Sequence, residues 1–176
     1  MAVFFTSDTH FGHAAARALY RRPFPSVAAM DEAMVARWNE TVGADDEVWH
    51  LGDFVVCRRA EEAAAALLAR LNGRKRLIIG NNDPPAVAAL PGWASAATHY
   101  AEAEVDGTGV VLCHYAFRTW RNAGRGWINL HGHSHGRLRP PLPRQADVGV
   151  DAQDFRPVTL AQILESRRRQ RRRGPA

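Results

Sequence analysis

Cysteine and lysine are scarce in this chain of 176 residues, which has two cysteines and a single lysine, Lys75. Cys57 and Cys113 stand far apart and form no C-x-x-C motif, so we expect no disulfide framework. No apolar run approaches the ~20 residues of a membrane span, and the first residues lack the pattern of a secretory signal. We therefore expect a cytoplasmic protein that does not contact a membrane.

Positive charge is plentiful but lies mostly at one end of the chain. The formal net charge is +5, yet two runs of three arginines, at 167–169 and 171–173, account for all of it. We expect one domain over residues 1–165 and a disordered arginine-rich tail over residues 166–176. The tail could attract nucleic acid, although an arginine-biased composition is the simpler explanation. The sequence does not indicate which oligomeric state the protein has.

Strands and helices alternate in the first half of the chain, which is typical of a layered α/β fold. Periodicity predicts strands at 3–7, 47–51 and 76–79, and helices at 14–20, 27–41 and 60–71. The second half is richer in strands, which we place at 99–105, 109–113, 127–130 and 146–150. Asp106-Gly107 predicts a hairpin between the first two of these. Thr159-x-x-Gln162 is a capping box for a final helix.

Three histidines fall within the seven residues 130–136, where Gly132 and Gly136 give the backbone freedom to bend. A tight group of imidazoles is a compositional signal for a metal site. An exposed polar loop with locally hydrogen-bonded histidines explains the same residues equally well. This stretch alone therefore leaves both interpretations open.

Further candidate ligands stand just past the ends of the predicted strands. They are Asp8 with His10, Asp53, Asn81, His114, and His133 with His135. Strand ends and their loops form the crevice of an α/β sheet, so these side chains should meet. Seven nitrogen and oxygen groups are too many for one tetrahedral ion and suit two ions that share a ligand.

The order of these motifs resembles that of the calcineurin-like metallophosphoesterases over residues 6–135. The matching motifs are Asp8-x-His10, Gly52-Asp53, Gly80-Asn81-x-Asp83, His114 and Gly132-His133-x-His135. The resemblance implies a four-layer α/β/β/α sandwich with a two-metal centre. One ion would take Asp8, His10, Asp53 and His135, and the other Asp53, Asn81, His114 and His133. Mn²⁺ is the ion expected first, while Fe, Zn²⁺, Ni²⁺ and Co²⁺ also suit such ligands.

The implied reaction is hydrolysis of a phosphoester by a hydroxide held between the two ions. The family usually has histidine after Gly-Asn, where it contacts the phosphate and can protonate the leaving group. This chain has Asn82, which donates a hydrogen bond but carries no transferable proton. We therefore predict a preference for phosphodiesters over phosphomonoesters, with Asn82 and Asp83 taking part in catalysis.

Several other residues have both a functional and a plain structural interpretation. His13 either reaches the substrate in place of the missing acid or lies on the surface at a helix start. Arg118 and Arg121 either bind the substrate phosphate or belong to a solvated loop. Asp147 and Asp151 either orient metal-bound histidines or end a strand in solvent.

The residues thus predict a phosphodiesterase with two metal ions. A broad-specificity phosphatase and a nuclease are the alternatives among enzymes. A non-catalytic protein that keeps the fold as a scaffold or binding module is the alternative of another class. The scaffold interpretation predicts eroded ligands, whereas all seven are present in this chain.

Overall fold

The computed structural model describes residues 1–140 and 142–172, and it contains two four-stranded sheets. The first sheet consists of β1 (Val3–Thr6), β2 (Glu47–His50), β3 (Arg74–Leu77) and β8 (Val158–Thr159), in the order β3-β2-β1-β8. The second consists of β4 (Tyr100–Val105), β5 (Thr108–Cys113), β6 (Ile128–His131) and β7 (Gln145–Asp147), in sequence order. The helices are α1 (Ala16–Leu19), α2 (Val27–Thr41), α3 (Ala60–Arg70), α4 (Pro85–Ala88) and α5 (Leu160–Arg172).

The two faces of the first sheet pack into different cores, as the alternation of side chains along a strand requires. Phe4 faces α2 and α3 in one core, while its neighbour Phe5 faces the second sheet in the other. Leu77 and Ile78 divide in the same way. α5 contributes Leu160 to the core between the sheets. The α/β sandwich predicted from the sequence is confirmed.

The outer face of the second sheet is covered by residues 115–127, which include a 3₁₀ turn at Ala123–Arg125. Asn129 on β6 is fully buried on this face and accepts a hydrogen bond from the Phe117 backbone N–H at 3.1 Å. The Gln145 amide donates to the Phe117 carbonyl at 2.6 Å. These side-chain contacts hold the covering segment to the sheet.

Strand direction places the candidate ligands at one edge of the sandwich. β1, β2 and β3 are mutually parallel, and so are β5, β6 and β7, so the strands of each set end on the same side. A bridge between Ser7 and Gly149 joins the end of β1 to the end of β7. The loops that follow these strands therefore meet where the two sheets come together.

The third strand begins two residues before its predicted start, because the basic residues there have partners. The Lys75 ammonium donates to the Leu68 and Leu71 carbonyls at 2.9 and 2.7 Å, at the end of α3. The Arg76 guanidinium pairs with Glu47 at 2.9 Å on the adjacent strand. Charges that look unsuited to a buried strand are thus compensated by the neighbouring elements.

The end of the chain also differs from the prediction. The capping box is confirmed, since the Thr159 backbone N–H donates to Gln162 Oε1 at 2.8 Å. The helix that starts there continues to Arg172 and so includes residues 166–172 of the predicted disordered tail. The Arg169 side chain pairs with Glu165 one turn earlier, at 2.6 Å, which favours continued helix. Residues 173–176 of that tail lie outside the described residues.

One helix agrees with its predicted bounds, and two short elements were not predicted. α2 has its predicted bounds, with the Ser26 hydroxyl accepting a hydrogen bond from the Ala29 N–H at 3.0 Å. α4 and the two-residue strand β8 have too few residues to produce a periodic pattern, and neither was predicted. Among the described helices, none has the combination of length and apolar character that crossing a membrane requires.

Candidate metal centre

The candidate ligands lie on loops whose backbone is bent into an uncommon conformation. Asp8, His10, Asp53, His133 and His135 all have φ between +47° and +63°. Residues other than glycine rarely adopt this left-handed region, and such residues cluster at functional sites. The Asp8 N–H donates to the Gly52 carbonyl at 2.9 Å and the His10 N–H to the Asp53 carbonyl at 3.0 Å. Backbone hydrogen bonds between the first two loops thus hold the strained conformation.

Two groups of ligand atoms converge at this edge of the sandwich. Asp8, His10 and His135 form one group, and Asp8, Asp53 and His114 form the other, with the ligand atoms of each group within 4.8 Å of one another. The Asp53 carboxylate is close to both groups, because its Oδ2 lies 3.4 Å from His10 Nε2 and 3.6 Å from His114 Nε2. The arrangement has room for two cations.

The hydrogen atoms of the imidazoles point away from the space where these atoms converge. Nδ1 of His114 lies 2.8 Å from the Leu51 carbonyl, which can only accept, so this nitrogen carries the proton. Its Nε2 is therefore the ring nitrogen that faces the oxygens of Asn81 and Asp53. His135 is arranged likewise, with Nδ1 donating to Asp151 and Nε2 3.8 Å from Asp8. In both rings the nitrogen that a metal ion could use as a ligand thus faces the converging oxygens.

His10 supplies the most direct test of whether these residues fit a metal ion. Its Nδ1 lies 3.2 Å from His13 Nδ1. Its Nε2 is buried and has no hydrogen-bond partner among the described residues. A buried polar atom without a partner is costly. A metal ion beside Asp53 would satisfy it, so the donor set fits the group that the motifs imply.

The charges of the site lead to the same conclusion. Burial raises the pKa of the Asp8 carboxyl well above its ordinary value, and the nearby Asp147 and Asp53 carboxylates raise it further. Burial lowers the pKa of His10 to about 3, so this imidazole is neutral. Neutral imidazoles cannot offset buried carboxylates. A divalent cation can.

Two glycines leave space for the carboxylates. A Cβ atom on Gly132 would collide with Ser7 Oγ, and one on Gly80 would collide with Asp53 Oδ1. The Ser7 hydroxyl in turn donates to the Leu51 carbonyl at 2.9 Å. Any larger residue at either glycine would displace a candidate ligand.

A buried ion pair orients His135, which confirms one of the two interpretations of Asp151. Asp151 Oδ2 accepts from His135 Nδ1 at 2.7 Å. The Arg22 guanidinium donates to both oxygens of Asp151 at 2.8 Å, and also to the Thr9 and Asp8 carbonyls at 2.8 and 2.6 Å. Arg22 is 4% exposed. It therefore ties the first loop to the histidine cluster, and sequence analysis missed it.

Asp83, predicted to be catalytic, instead positions the loops. Its Oδ2 accepts from the backbone N–H groups of Asp53 and Gly80, and its Oδ1 from that of Phe54, all at 2.8 Å. It is 8% exposed and does not line the cavity described below. Because both of its oxygens are taken by backbone amides, Asp83 acts through Asp53 rather than on a substrate.

Asn81 and His133 occupy the exposed side of the site. Asn81 Oδ1 lies 3.0 Å from His114 Nε2, which places it beside the second group. The His133 ring lies 5.1 Å from the His114 ring, and its backbone N–H donates to Asp8 Oδ2 at 2.9 Å. The His133 side chain belongs to neither group of converging atoms. The structure thus brings it near the centre without aligning its ring.

Asn82 contacts the carboxylate at the middle of the site. Its backbone N–H donates to Asp53 Oδ1 at 2.8 Å and its side-chain amide to Asp53 Oδ2 at 2.7 Å. It also lines an open cavity of about 280 Å³ above the candidate ligands. The residues that line this cavity are Tyr20, Asp53, Asn81, Asn82, His133, Ser134, His135 and Arg137.

Three residues that were expected to contact the substrate do not line this cavity. Arg118 and Arg121 do not line it, and Arg121 instead pairs with Glu102 on β4 and lies over the Trp127 ring. His13 does not line it either. Its Nδ1 lies 3.2 Å from His10 Nδ1. Tyr20 and Arg137 stand in the cavity in their place. Neither carries a motif, so no local signal indicated them.

The other histidines of the region have structural roles. Thr9 Oγ1 donates to the Phe54 carbonyl at 2.8 Å and accepts from Nε2 of the buried His50 at 3.0 Å. His131 Nδ1 donates to the Gly132 carbonyl at 2.9 Å, and His131 belongs to neither ligand group. Asp147 accepts from the N–H groups of Gly136 and Gly149 at 2.8 Å. It shapes the cluster loop rather than orienting a histidine.

Comparisons with known proteins agree with this geometry. A model of the calcineurin-like phosphoesterase superfamily domain matches residues 1–140. An uncharacterised protein of Methanocaldococcus jannaschii is 28% identical over 169 residues, covering 93% of this chain and 89% of that protein. The gene 66 protein of Mycobacterium phage D29 is 35% identical over 178 residues, covering 85% of this chain and 88% of that protein. A solved structure of a protein of unknown function from Aquifex aeolicus has a TM-score of 0.72 and 22% sequence identity, and it covers 93% of this chain and 97% of that chain. The two proteins therefore share a fold.

Proposed function

The chain belongs to the calcineurin-like phosphoesterase superfamily, and from this premise we propose that it hydrolyses phosphoesters with two divalent metal ions and prefers phosphodiesters. The observation that carries the proposal is the convergence of buried carboxylates and imidazole nitrogens, with His10 Nε2 lacking a hydrogen-bond partner among the described residues. A metal-dependent hydrolase accounts for such a costly arrangement.

Each ion has a proposed set of ligands. Asp8, His10 and His135 would hold one ion and Asn81, His114 and His133 the other, with Asp53 between them. Bound divalent ions would supply an activated water and neutralise the charge of the phosphoryl group. Oxygen and imidazole ligands suit Mn²⁺ first.

Other side chains of the protein keep these ligands in place. Arg22 and Asp151 fix the His135 tautomer, so that Nε2 faces the centre. Asp83 holds the Asp53 backbone. Support of this kind maintains the alignment that catalysis requires.

The preference for diesters rests on Asn82. Its amide can donate a hydrogen bond to a phosphoryl oxygen, but it has no proton to give to a leaving group. It also carries no charge against the second negative charge of a monoester. General acid catalysis typically contributes ~10²–10⁴-fold, so esters with poor leaving groups should react slowly.

Chromogenic substrates test the proposal. With added Mn²⁺, we expect faster hydrolysis of bis(p-nitrophenyl) phosphate than of p-nitrophenyl phosphate, and no hydrolysis of either in excess EDTA. Faster turnover of the monoester would contradict the diester preference. If the protein hydrolysed neither substrate with any of the five candidate metals, the proposed activity itself would be contradicted.

Asn82→His separates the chemistry of this residue from its position. If the missing acid limits monoester hydrolysis, the variant should raise it by up to ~10²-fold. Asn82→Ala is the matched control, because it removes the amide without adding an acid and should not raise the rate. An equal gain in both variants would show that the Asn82 side chain merely obstructs the site.

A further inference from the structure

One cation faces the cavity without a counter-ion. Arg137 follows the histidine cluster directly, is exposed, and lines the cavity. Within residues 1–140 and 142–172, no carboxylate lies within 4.0 Å of its guanidinium. Arg22, by contrast, is buried against Asp151 at 2.8 Å. The first arginine is thus free to bind an anion, whereas the second is committed to the fold.

Arg137 is held in place by contacts that lead back to the metal centre. The Tyr20 ring stacks on the His135 ring, with centroids 3.5 Å apart and planes 11° from parallel. The Arg137 guanidinium lies 5.7 Å from the Tyr20 centroid, and one of its nitrogens donates to the Leu19 carbonyl at 2.7 Å. The remaining N–H groups have no protein acceptor among the described residues. A guanidinium that is already held in one position, with N–H groups left over, can bind an anion with little further loss of conformational entropy.

The position of Arg137 decides which anion it meets. The reacting phosphoryl group would lie against the ions, beside Asp53 and Asn82. Arg137 makes no ion pair with any ligand carboxylate, and the ring of Tyr20 stands beside it. Its contacts are with the Tyr20 ring and the Leu19 carbonyl and not with a candidate ligand, so an anionic group bound by Arg137 would be a different one from the phosphoryl group at the ions.

On the basis of the proposed function, we infer that Arg137 binds a second anionic group of the substrate. The substrate class would then be phosphodiesters with a further phosphate or carboxylate close to the scissile group. Ser134, three residues before Arg137, also lines the cavity, and its hydroxyl would be a second donor for the same group. Arg137 would be a specificity-determining residue, since it contacts the substrate but not the reacting atoms.

Two diesters that differ by one phosphate group test this inference. They are thymidine 5′-(p-nitrophenyl phosphate) and the same compound with a 3′-phosphate, and both release p-nitrophenol. The wild-type protein with Mn²⁺ should show a KM about 5- to 10-fold lower for the 3′-phosphorylated diester, as one exposed charge-assisted contact would give. The difference should shrink in 1 M salt, where exposed charges are screened.

Arg137→Gln should remove this preference by raising the KM of the 3′-phosphorylated diester to that of the diester without the 3′-phosphate. Arg137→Lys should keep part of it, because the charge remains while the planar fork is lost. The matched control is Arg139→Gln. Arg139 is also exposed and near the cluster, but its guanidinium donates to the Gly136 and Leu138 carbonyls and does not line the cavity.

The outcomes distinguish this inference from the proposed function. Equal KM values for the two diesters in the wild-type protein would overturn the role of Arg137 while leaving the hydrolase intact. An equal loss with both diesters in Arg137→Gln, at an unchanged melting temperature, would also overturn it. No turnover of either diester by any variant would instead contradict the proposed function.

Discussion

The candidate metal centre has a buried side and an exposed rim, and the two are built differently. Asp8, His10, Asp53 and His114 are at most 2% exposed and are held by backbone and side-chain hydrogen bonds. Asn81, Asn82 and His133 are exposed and face the cavity. Buried charges and lone pairs are costly unless a counter-charge satisfies them. The buried side therefore has groups that could hold a metal ion, while the rim can contact both an ion and a substrate.

The largest effect should come from the carboxylate that lies between the two ligand groups. Asp53→Asn keeps the side-chain volume but removes the charge near His10 and His114. We expect Mn²⁺-dependent hydrolysis of bis(p-nitrophenyl) phosphate to fall by about 10³-fold, since metal-ion stabilisation is worth several kcal/mol. Asp154→Asn, on a side chain that is 74% exposed, should change nothing. A decrease in the hydrolysis rate of less than tenfold in Asp53→Asn would contradict the assignment of metal binding to the buried side.

A smaller effect should follow from removing the support of a buried ligand. Asp151→Asn weakens the hydrogen bond that orients His135, so we expect the dissociation constant for Mn²⁺ to rise about 10- to 100-fold. Isothermal titration calorimetry would measure it.

Asp147→Asn is the control for that variant. Asp147 also accepts hydrogen bonds from the cluster loop, but from the Gly136 and Gly149 backbone rather than from a histidine. It should weaken Mn²⁺ binding less than Asp151→Asn does. Equal losses would mean that charge near the site, and not the orientation of His135, sets the affinity.

A third change should affect stability but not the site. Lys75→Met leaves the Leu68 and Leu71 carbonyls without their donor. Urea denaturation should show a loss of about 1–3 kcal/mol in the free energy of unfolding, the cost of leaving a buried acceptor unsatisfied. The Mn²⁺ dissociation constant should stay the same. A weaker affinity for Mn²⁺ would show that the centre depends on the packing of α3.

The smallest effect concerns a carboxyl that is not a candidate ligand. Burial raises the pKa of Asp31 from 3.8 to about 6, although a hydrogen bond from the Gly12 N–H opposes the shift. The folded state therefore binds more protons than the unfolded state between pH 4 and 6, and stability falls as the pH rises through this window. Above it, the charge of the partly buried carboxylate persists as a cost, although Arg22 and Arg70 offset some of it.

Asp31→Asn removes that charge and should make the protein more stable than the wild type at pH 8. The two proteins should be equally stable near pH 4, where Asp31 is protonated. Urea denaturation in EDTA at both pH values would measure the difference. A variant that is less stable at pH 8 would show that the Asp31 carboxylate is satisfied and not a cost.

The sequence was most informative where a single strand and its following loop determine the outcome. Strand ends indicated the positions of Asp8, Asp53 and Asn81, because parallel strands of one sheet end on the same side. The helix over Val27–Thr41 followed from its Ser26 cap and apolar spacing. Both inferences depend on residues that are near one another in the chain.

The sequence was least informative about contacts between distant segments. Arg22 and Asp151 are 129 residues apart, and nothing in either segment indicates the other. Tyr20 and Arg137 meet only because the fold brings the end of α1 to the cluster loop. Arg118 and Arg121 seemed suited to the site from charge alone, but charge does not specify direction. Contacts of this kind depend on the complete packing of the sandwich.

Anomalous diffraction from crystals grown with Mn²⁺ would test the central claim most directly, that the buried side holds two ions. The account predicts two peaks that share Asp53, one beside His10 and His135 and the other beside His114 and Asn81. A map with strong Mn²⁺ peaks elsewhere and none among these residues would contradict it.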